Sequence, residues 1–208
     1  ETIFIGAVSD GLGSSLHSKD GARLACECVI DILKKENSSV DFNTLTDKIT
    51  KQWQQLVVQN NGVIKDYRTT NSFVSVFKKE KIVLAGQLGD VLISLRIDGL
   101  FRHFETTQKE FSNETDCLGS GKSEKYKIAK YEFGHSLDFL IATDGISDEI
   151  EPLKLEAFQN YLKDKSIVLE NEISIRLPGG ALDGVRTIVD SSPVFEKEKE
   201  IFLLVKIV

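Results

Sequence analysis

Ile3-Phe4-Ile5-Gly6-Ala7-Val8-Ser9-Asp10-Gly11-Leu12-Gly13-Ser14-Ser15 is the stretch from which the rest of the chain is read. An apolar run breaks off at Asp10-Gly11, and a helix-forming segment begins a few residues later. A buried strand that ends in a carboxylate and a permissive glycine sets an anionic group at the rim of a sheet. The same construction returns at Phe139-Leu140-Ile141-Ala142-Thr143-Asp144-Gly145. If two strands deliver Asp-Gly to one place, two carboxylates lie side by side, and like charges that close need a cation or a proton between them. Either copy alone is also what an ordinary turn looks like, since Asp-Gly is a frequent turn dipeptide.

A chain of 208 residues is within the range of one domain and can bury a real core. Its 41% apolar and 28% charged residues are ordinary for a globular protein. The net charge of −6 gives nucleic acid no electrostatic support, and no basic stripe is present. No apolar run is long enough to cross a bilayer, and no secretory signal opens the chain, which argues against a membrane partner. Cys26, Cys28 and Cys117 are a sparse, odd set. They read as buried free thiols in a reducing compartment, and the expected location is cytoplasmic.

Around this stretch the order of elements emerges. Ala22, Ala25, Val29, Ile32 and Leu33 recur at helical spacing between Ser18 and Lys35, with Ser18 or Asp20 as the expected cap. Thr44-Leu45-Thr46-Asp47 resembles a capping box ahead of a second amphipathic helix carrying Leu45, Ile49, Trp53, Leu56 and Val57. Strands are expected at residues 73–77, 82–85, 91–97 and 100–104, with Asp98-Gly99 as a two-residue hairpin turn. Gly89-Asp90 lies between two of them, where a glycine suggests a bulge that aims Asp90 away from the regular pleat, either into a site or into solvent. Two strands over 126–133 and 137–142, helices near 156–162 and 168–177, and strands at 185–189 and 201–208 complete the pattern. No histidine has a partner at zinc-ligand spacing. The pattern suits an α+β fold in which two sheets pack together and helices cover them.

Ala7-Val8-Ser9-Asp10-Gly11-Leu12-Gly13, Thr69-Thr70, Gly89-Asp90, Ala142-Thr143-Asp144-Gly145-Ile146-Ser147-Asp148 and Gly179-Gly180-Ala181-Leu182-Asp183-Gly184-Val185 follow in one order. In that order and spacing the chain resembles the metal-dependent protein phosphatase type 2C family, its bacterial-type members especially. The resemblance implies a central β-sandwich of two antiparallel sheets flanked by paired helices, here as a single domain over 1–208 that lacks the family's first strands. It implies that Asp10 bridges two Mg²⁺ or Mn²⁺ ions, that Gly11 lends its carbonyl, and that Asp144 ligates from the other side. Asp183 matches the last aspartate, and Asp90 matches a position that can hold a third ion with Asp144. Asp10, Asp144 and Asp183 are then the catalytic set, and Thr69-Thr70 is a structural pair. Hard divalent cations suit such all-oxygen ligation.

The implied activity is hydrolysis of phosphoserine or phosphothreonine in a phosphorylated protein substrate by a metal-activated water, without a covalent intermediate. Some features depart from the family. The segment that usually holds a phosphate-clamping arginine is missing, Leu12 stands where some relatives carry a histidine, and Gly184 follows Asp183 in place of the usual Asn. A second register aligns Glu198-Lys199-Glu200 with the last motif and would put Lys199 in the ligand's place. A catalytically inactive relative that binds a phosphoprotein or another partner is the alternative function.

Overall fold

A computed structural model of the chain describes residues 3–104, 115–121, 125–144, 150–165, 173–174, 187–189, 192–194 and 202–207. Its strands are β1 (Ile3–Val8), β2 (Asn71–Phe77), β3 (Ile82–Leu88), β4 (Leu92–Ile97), β5 (Leu100–His103), β6 (Lys127–Glu132) and β7 (Leu137–Ala142). Four more follow, β8 (Ile173–Ser174), β9 (Thr187–Val189), β10 (Ser192–Val194) and β11 (Phe202–Ile207). They form a six-stranded sheet in the order β10-β9-β1-β2-β3-β6 and a five-stranded sheet in the order β5-β4-β7-β11-β8. Every recorded strand pairing is antiparallel. The expected α+β sandwich is the fold.

Alternation along β1 explains why its sequence is apolar throughout. Successive side chains point to opposite faces of a strand. Phe4 and Val8 enter the layer between the sheets, among Val74, Val76, Val83, Ile93, Leu95, Phe139 and Ile141. Ile5 and Ala7 face the other way, where α1 (Ser18–Leu33) and α2 (Phe42–Gln59) cover the sheet with Cys26, Val29, Ile30, Leu33, Leu45 and Ile49. Burying each such branched or aromatic side chain is worth about 1.5–3 kcal/mol, so a polar residue at any of them would be costly. The second sheet carries α3 (Leu155–Lys165) on its outer face. Leu155 packs on Leu92, Leu140 and Ala142, while Ser94 Oγ donates to Gln159 Oε1 at 2.8 Å. Among the described residues no helix is long and apolar enough to cross a membrane.

Several local expectations need correction. His17, not Ser18 or Asp20, is the residue ahead of α1, and it makes no side-chain cap. The turn is held by backbone instead, with His17 N–H donating to Asp66 O at 2.7 Å. Asp41 caps α2 by accepting from the backbone N–H of Thr44 at 2.9 Å, so the capping residue lies three positions before Thr44. Ile173 and Ser174 form a strand beside β11, where a helix is expected from the sequence, because strand pairing with Val205 and Leu204 overrides local propensity. Asp98 and Gly99 do make the hairpin turn, both at positive φ. The Asp98 carboxylate accepts backbone N–H groups of Gly134, His135 and Ser136 at 2.6–3.0 Å, which hold its pKa down at about 2.

Trp53 is fully buried, and its Nε1 donates to Gly21 O at 3.0 Å, tying α2 to α1. A Cβ on Gly21 would lie 1.8 Å from Tyr67 O, so α1 touches the following turn backbone to backbone. Alanine at Gly21 would gain about 1 kcal/mol of helix propensity yet force α1 off that turn. The expected net loss is about 2–3 kcal/mol, seen as a melting temperature lower by about 5–10 °C in a thermal scan of Gly21→Ala.

Candidate functional site

Strand register brings three aspartates to one end of the sandwich. Asp10 lies two residues past Val8, the last residue of β1, which pairs with Ser72 of β2. Asn71 pairs with Leu88 of β3, and Asp90 lies two residues beyond it. Leu92 of β4 pairs with Ala142 of β7, so Asp90, two residues before one, and Asp144, two residues after the other, share an end of the second sheet.

The backbone of Asp10 is gripped by two buried threonines. Its N–H donates to Thr70 Oγ1 at 2.9 Å, and its carbonyl accepts from Thr70 N–H at 2.8 Å and from Thr69 Oγ1 at 2.7 Å. A Cβ on Gly11 would stand 2.6 Å from the Ser18 carbonyl carbon, so only glycine lets α1 begin so close behind the aspartate. Asp90 is held by a different device. Gly89, at φ +97°, turns the chain against the Thr70 side chain. Gln87 Nε2 then donates to the carbonyls of Gly89 and Val91 on either side of Asp90, at 3.3 and 2.5 Å. Thr115 Oγ1 donates to Asp90 Oδ2 at 2.8 Å, so Asp90 is a half-buried, oriented carboxylate.

Electrostatics report the convergence. The pKa of Asp10 is raised from 3.8 to about 6. Burial of its inner side against packed backbone is the largest cause, although its outer face is open to solvent. The charges of Asp144 and then Asp90 come next, and a hydrogen bond between the Asp10 and Asp144 carboxyl groups adds to them. The Gly11 backbone N–H works the other way. Carboxyl groups close enough to disfavour one another's ionised form can share a cation instead.

Asp10, Asp90 and Asp144 are therefore neighbours, while Asp183, Gly184 and Glu198-Lys199-Glu200 lie outside the described residues. Among the described residues no three acidic, histidine or cysteine side chains are clustered tightly enough to enclose an ion by themselves. Sequence reading missed Gln87 and Thr115. Gln87 left a signal, as a polar residue inside the buried run Ile82–Leu88. Thr115 left none, because only the fold carries it to Asp90.

The family model for protein phosphatase 2C matches residues 1–177. The chain belongs to the protein phosphatase 2C family. No curated protein matches it by sequence. Among solved structures it is similar to the catalytic domain of the serine/threonine protein phosphatase PstP in complex with two manganese ions, at 13% identity and TM-score 0.56, covering 76% of this chain and 74% of that one. It is also similar to a bacterial serine phosphatase mutant, at 16% identity and TM-score 0.57, over 79% of this chain and 74% of the other. A stage II sporulation E family protein from Thermanaerovibrio acidaminovorans follows at 12% identity and TM-score 0.53, over 71% and 78%. At such identities the likeness speaks to the fold, and it agrees with the family's sandwich.

The raised pKa of Asp10 has a stability consequence in chelator-treated protein. Folding favours the protonated carboxyl, so nothing is lost below pH 3.8, where both folded and unfolded chains carry the proton, and a destabilisation grows as pH rises through about 6. Asp10→Asn removes the titrating group. Its melting temperature should exceed that of the native chain at pH 7.5 and converge with it near pH 4, measured by calorimetry in EDTA.

Proposed function

We propose that this chain hydrolyses phosphoserine and phosphothreonine in proteins with Mg²⁺ or Mn²⁺ held by Asp10, Asp90, Asp144 and Asp183, and with the Gly11 carbonyl as a further ligand. The observation that carries the reading is the carboxyl-to-carboxyl contact of Asp10 and Asp144, from strands distant in sequence, with Asp90 close enough to raise Asp10 further. Family membership supports a phosphatase-type activity. The donor set fits the ions: it offers oxygen only, and Mg²⁺ typically takes one or two carboxylates while keeping several waters. A looser acidic group among the described residues is compatible with that habit.

When bound, such ions would neutralise the ester oxygens and make a water acidic enough to act as nucleophile near neutral pH. The protein's own residues prepare the place. Asp10 ionises as pH rises through about 6 and its carboxylate is then free to bind a cation. Thr69 and Thr70 fix its backbone, and with it the direction of its carboxylate. Thr115 leaves one Asp90 oxygen, Oδ1, unclaimed by its own hydroxyl and aims the group as a whole. Positioning of this kind is most of what in-line phosphoryl transfer asks of a protein. We also read residues 1–208 as one domain, since β9 and β10 complete the first sheet and β11 completes the second.

The test is hydrolysis of a chromogenic aryl phosphate and of a phosphothreonine peptide. Turnover should require Mn²⁺ or Mg²⁺ and stop on chelation. Asp144→Ala should reduce it by about 100-fold or more, because the charge stabilisation at stake is several kcal/mol. A native chain that neither turns over either substrate nor binds Mn²⁺ in a calorimetric titration would falsify the reading. Asp183→Asn and Lys199→Ala decide the last ligand: weaker Mn²⁺ binding is expected from the first and no change from the second.

A further inference from the structure

We propose that Arg68, with Ser14 and Lys65, forms an anion-reading subsite beside the carboxylate centre that favours phosphoproteins bearing an acidic residue two or three positions from the phosphorylated one. This rests on the hydrolytic reading above and adds a substrate preference to it. Three other described arginines have settled partners. Arg23 lies 3.0 Å from Glu27, Arg96 lies 3.0 Å from Glu156, and Arg102 sits over the Tyr131 ring at 5.1 Å. Arg68 has neither an acidic partner nor a ring among the described residues. Its Nε donates to Ser15 Oγ at 3.0 Å and to Lys65 O at 3.1 Å, and its Nη2 donates to Ser14 Oγ at 3.3 Å. The fork is thus held in place while Nη1 meets no protein acceptor among the described residues, and the side chain is only half-buried. A guanidinium fixed in this way loses little freedom on binding a carboxylate or phosphate, and it can bind either with two N–H groups.

Position decides which anion it meets. Leu12 N–H donates to Arg68 O at 3.1 Å, and the Gly11–Thr69 bridge lies between that contact and the Thr70 grip on Asp10. Arg68 is therefore two residues, about 7 Å of extended backbone, beyond the residue that holds the aspartate. Its guanidinium is fastened to Ser14, Ser15 and Lys65, on the far side of the Gly11–Thr69 bridge from Asp10. An extended substrate chain covers about 7–10 Å in two or three residues, which brings a flanking side chain to Arg68. Ser14, whose hydroxyl accepts from Nη2, and Lys65, whose carbonyl accepts from Nε, are both exposed. In a chain of net charge −6, such a local cation favours the approach of an acidic substrate segment.

The experiment uses the full chain and three fluorescent phosphoserine peptides that differ only in carrying Glu, Ala or Lys at the second and third positions from the phosphoserine. Binding is read by anisotropy, and hydrolysis with Mn²⁺ is read separately as kcat/KM. Native protein should bind the Glu peptide about fivefold more tightly than the Ala peptide, with the preference shrinking in 0.5 M salt. Arg68→Glu should turn the preference toward the Lys peptide, Arg68→Lys should retain part of it, and Ser14→Ala, which touches only an exposed hydroxyl, should narrow it. A loop that merely loosened would weaken all three peptides alike, so an unchanged Glu-to-Lys ratio in Arg68→Glu overturns the proposal. Loss of aryl phosphate turnover in the native chain with an intact Arg68-dependent preference would sink the hydrolytic reading and leave the subsite standing.

Discussion

The hydrogen bonds between Asp10 and the Thr69-Thr70 pair are the constraint on which the rest of this structure depends. They join the end of β1 to the start of β2 through a carbonyl that accepts from the hydroxyl of buried Thr69 and from the backbone N–H of buried Thr70. Hydrogen bonds between buried groups are worth most through the penalty for breaking them. Pulling Asp10 out of line would leave its own N–H and carbonyl, as well as two threonine hydroxyls, short of partners. Thr70 also presses on Gly89, so the same residue that fixes Asp10 sets the turn that presents Asp90. A local grip on one peptide group thereby sets the geometry of two distant carboxylates.

That geometry carries an electrostatic tension. The sandwich core supplies the stability that lets like charges be held together, and Asp10 responds by keeping its proton to higher pH. The tension is a property of the fold and not of any one aspartate. β1, β3 and β7 are each buried over almost their whole length, so none of the three can drift to relieve it. Sites of this kind are often where function concentrates, since structure alone gives no reason to crowd acids at a rim.

How much of this was readable in advance follows from the range of each interaction. Elements defined by their own periodicity emerged as read: α1 from its apolar spacing, β7 from its continuous apolar run, the Asp98-Gly99 turn from residues that tolerate positive φ. Elements defined by a partner did not. β8 exists because β11 lies beside it, and the start of α1 is stabilised by the Asp66 carbonyl, some fifty residues away in the chain. The site divides in the same way. Asp10 and Asp144 announce themselves as carboxylates at the ends of buried strands, whereas Thr115 and Arg68 look like ordinary loop residues until the register places them.

The chain's three cysteines are all buried, and burial together with the charges of Asp31 and Glu27 pushes the Cys28 thiol up to about 12. A thiol so far from ionising is a poor nucleophile and a poor target for peroxide. An oxidant that reaches this thiol therefore finds no thiolate to attack.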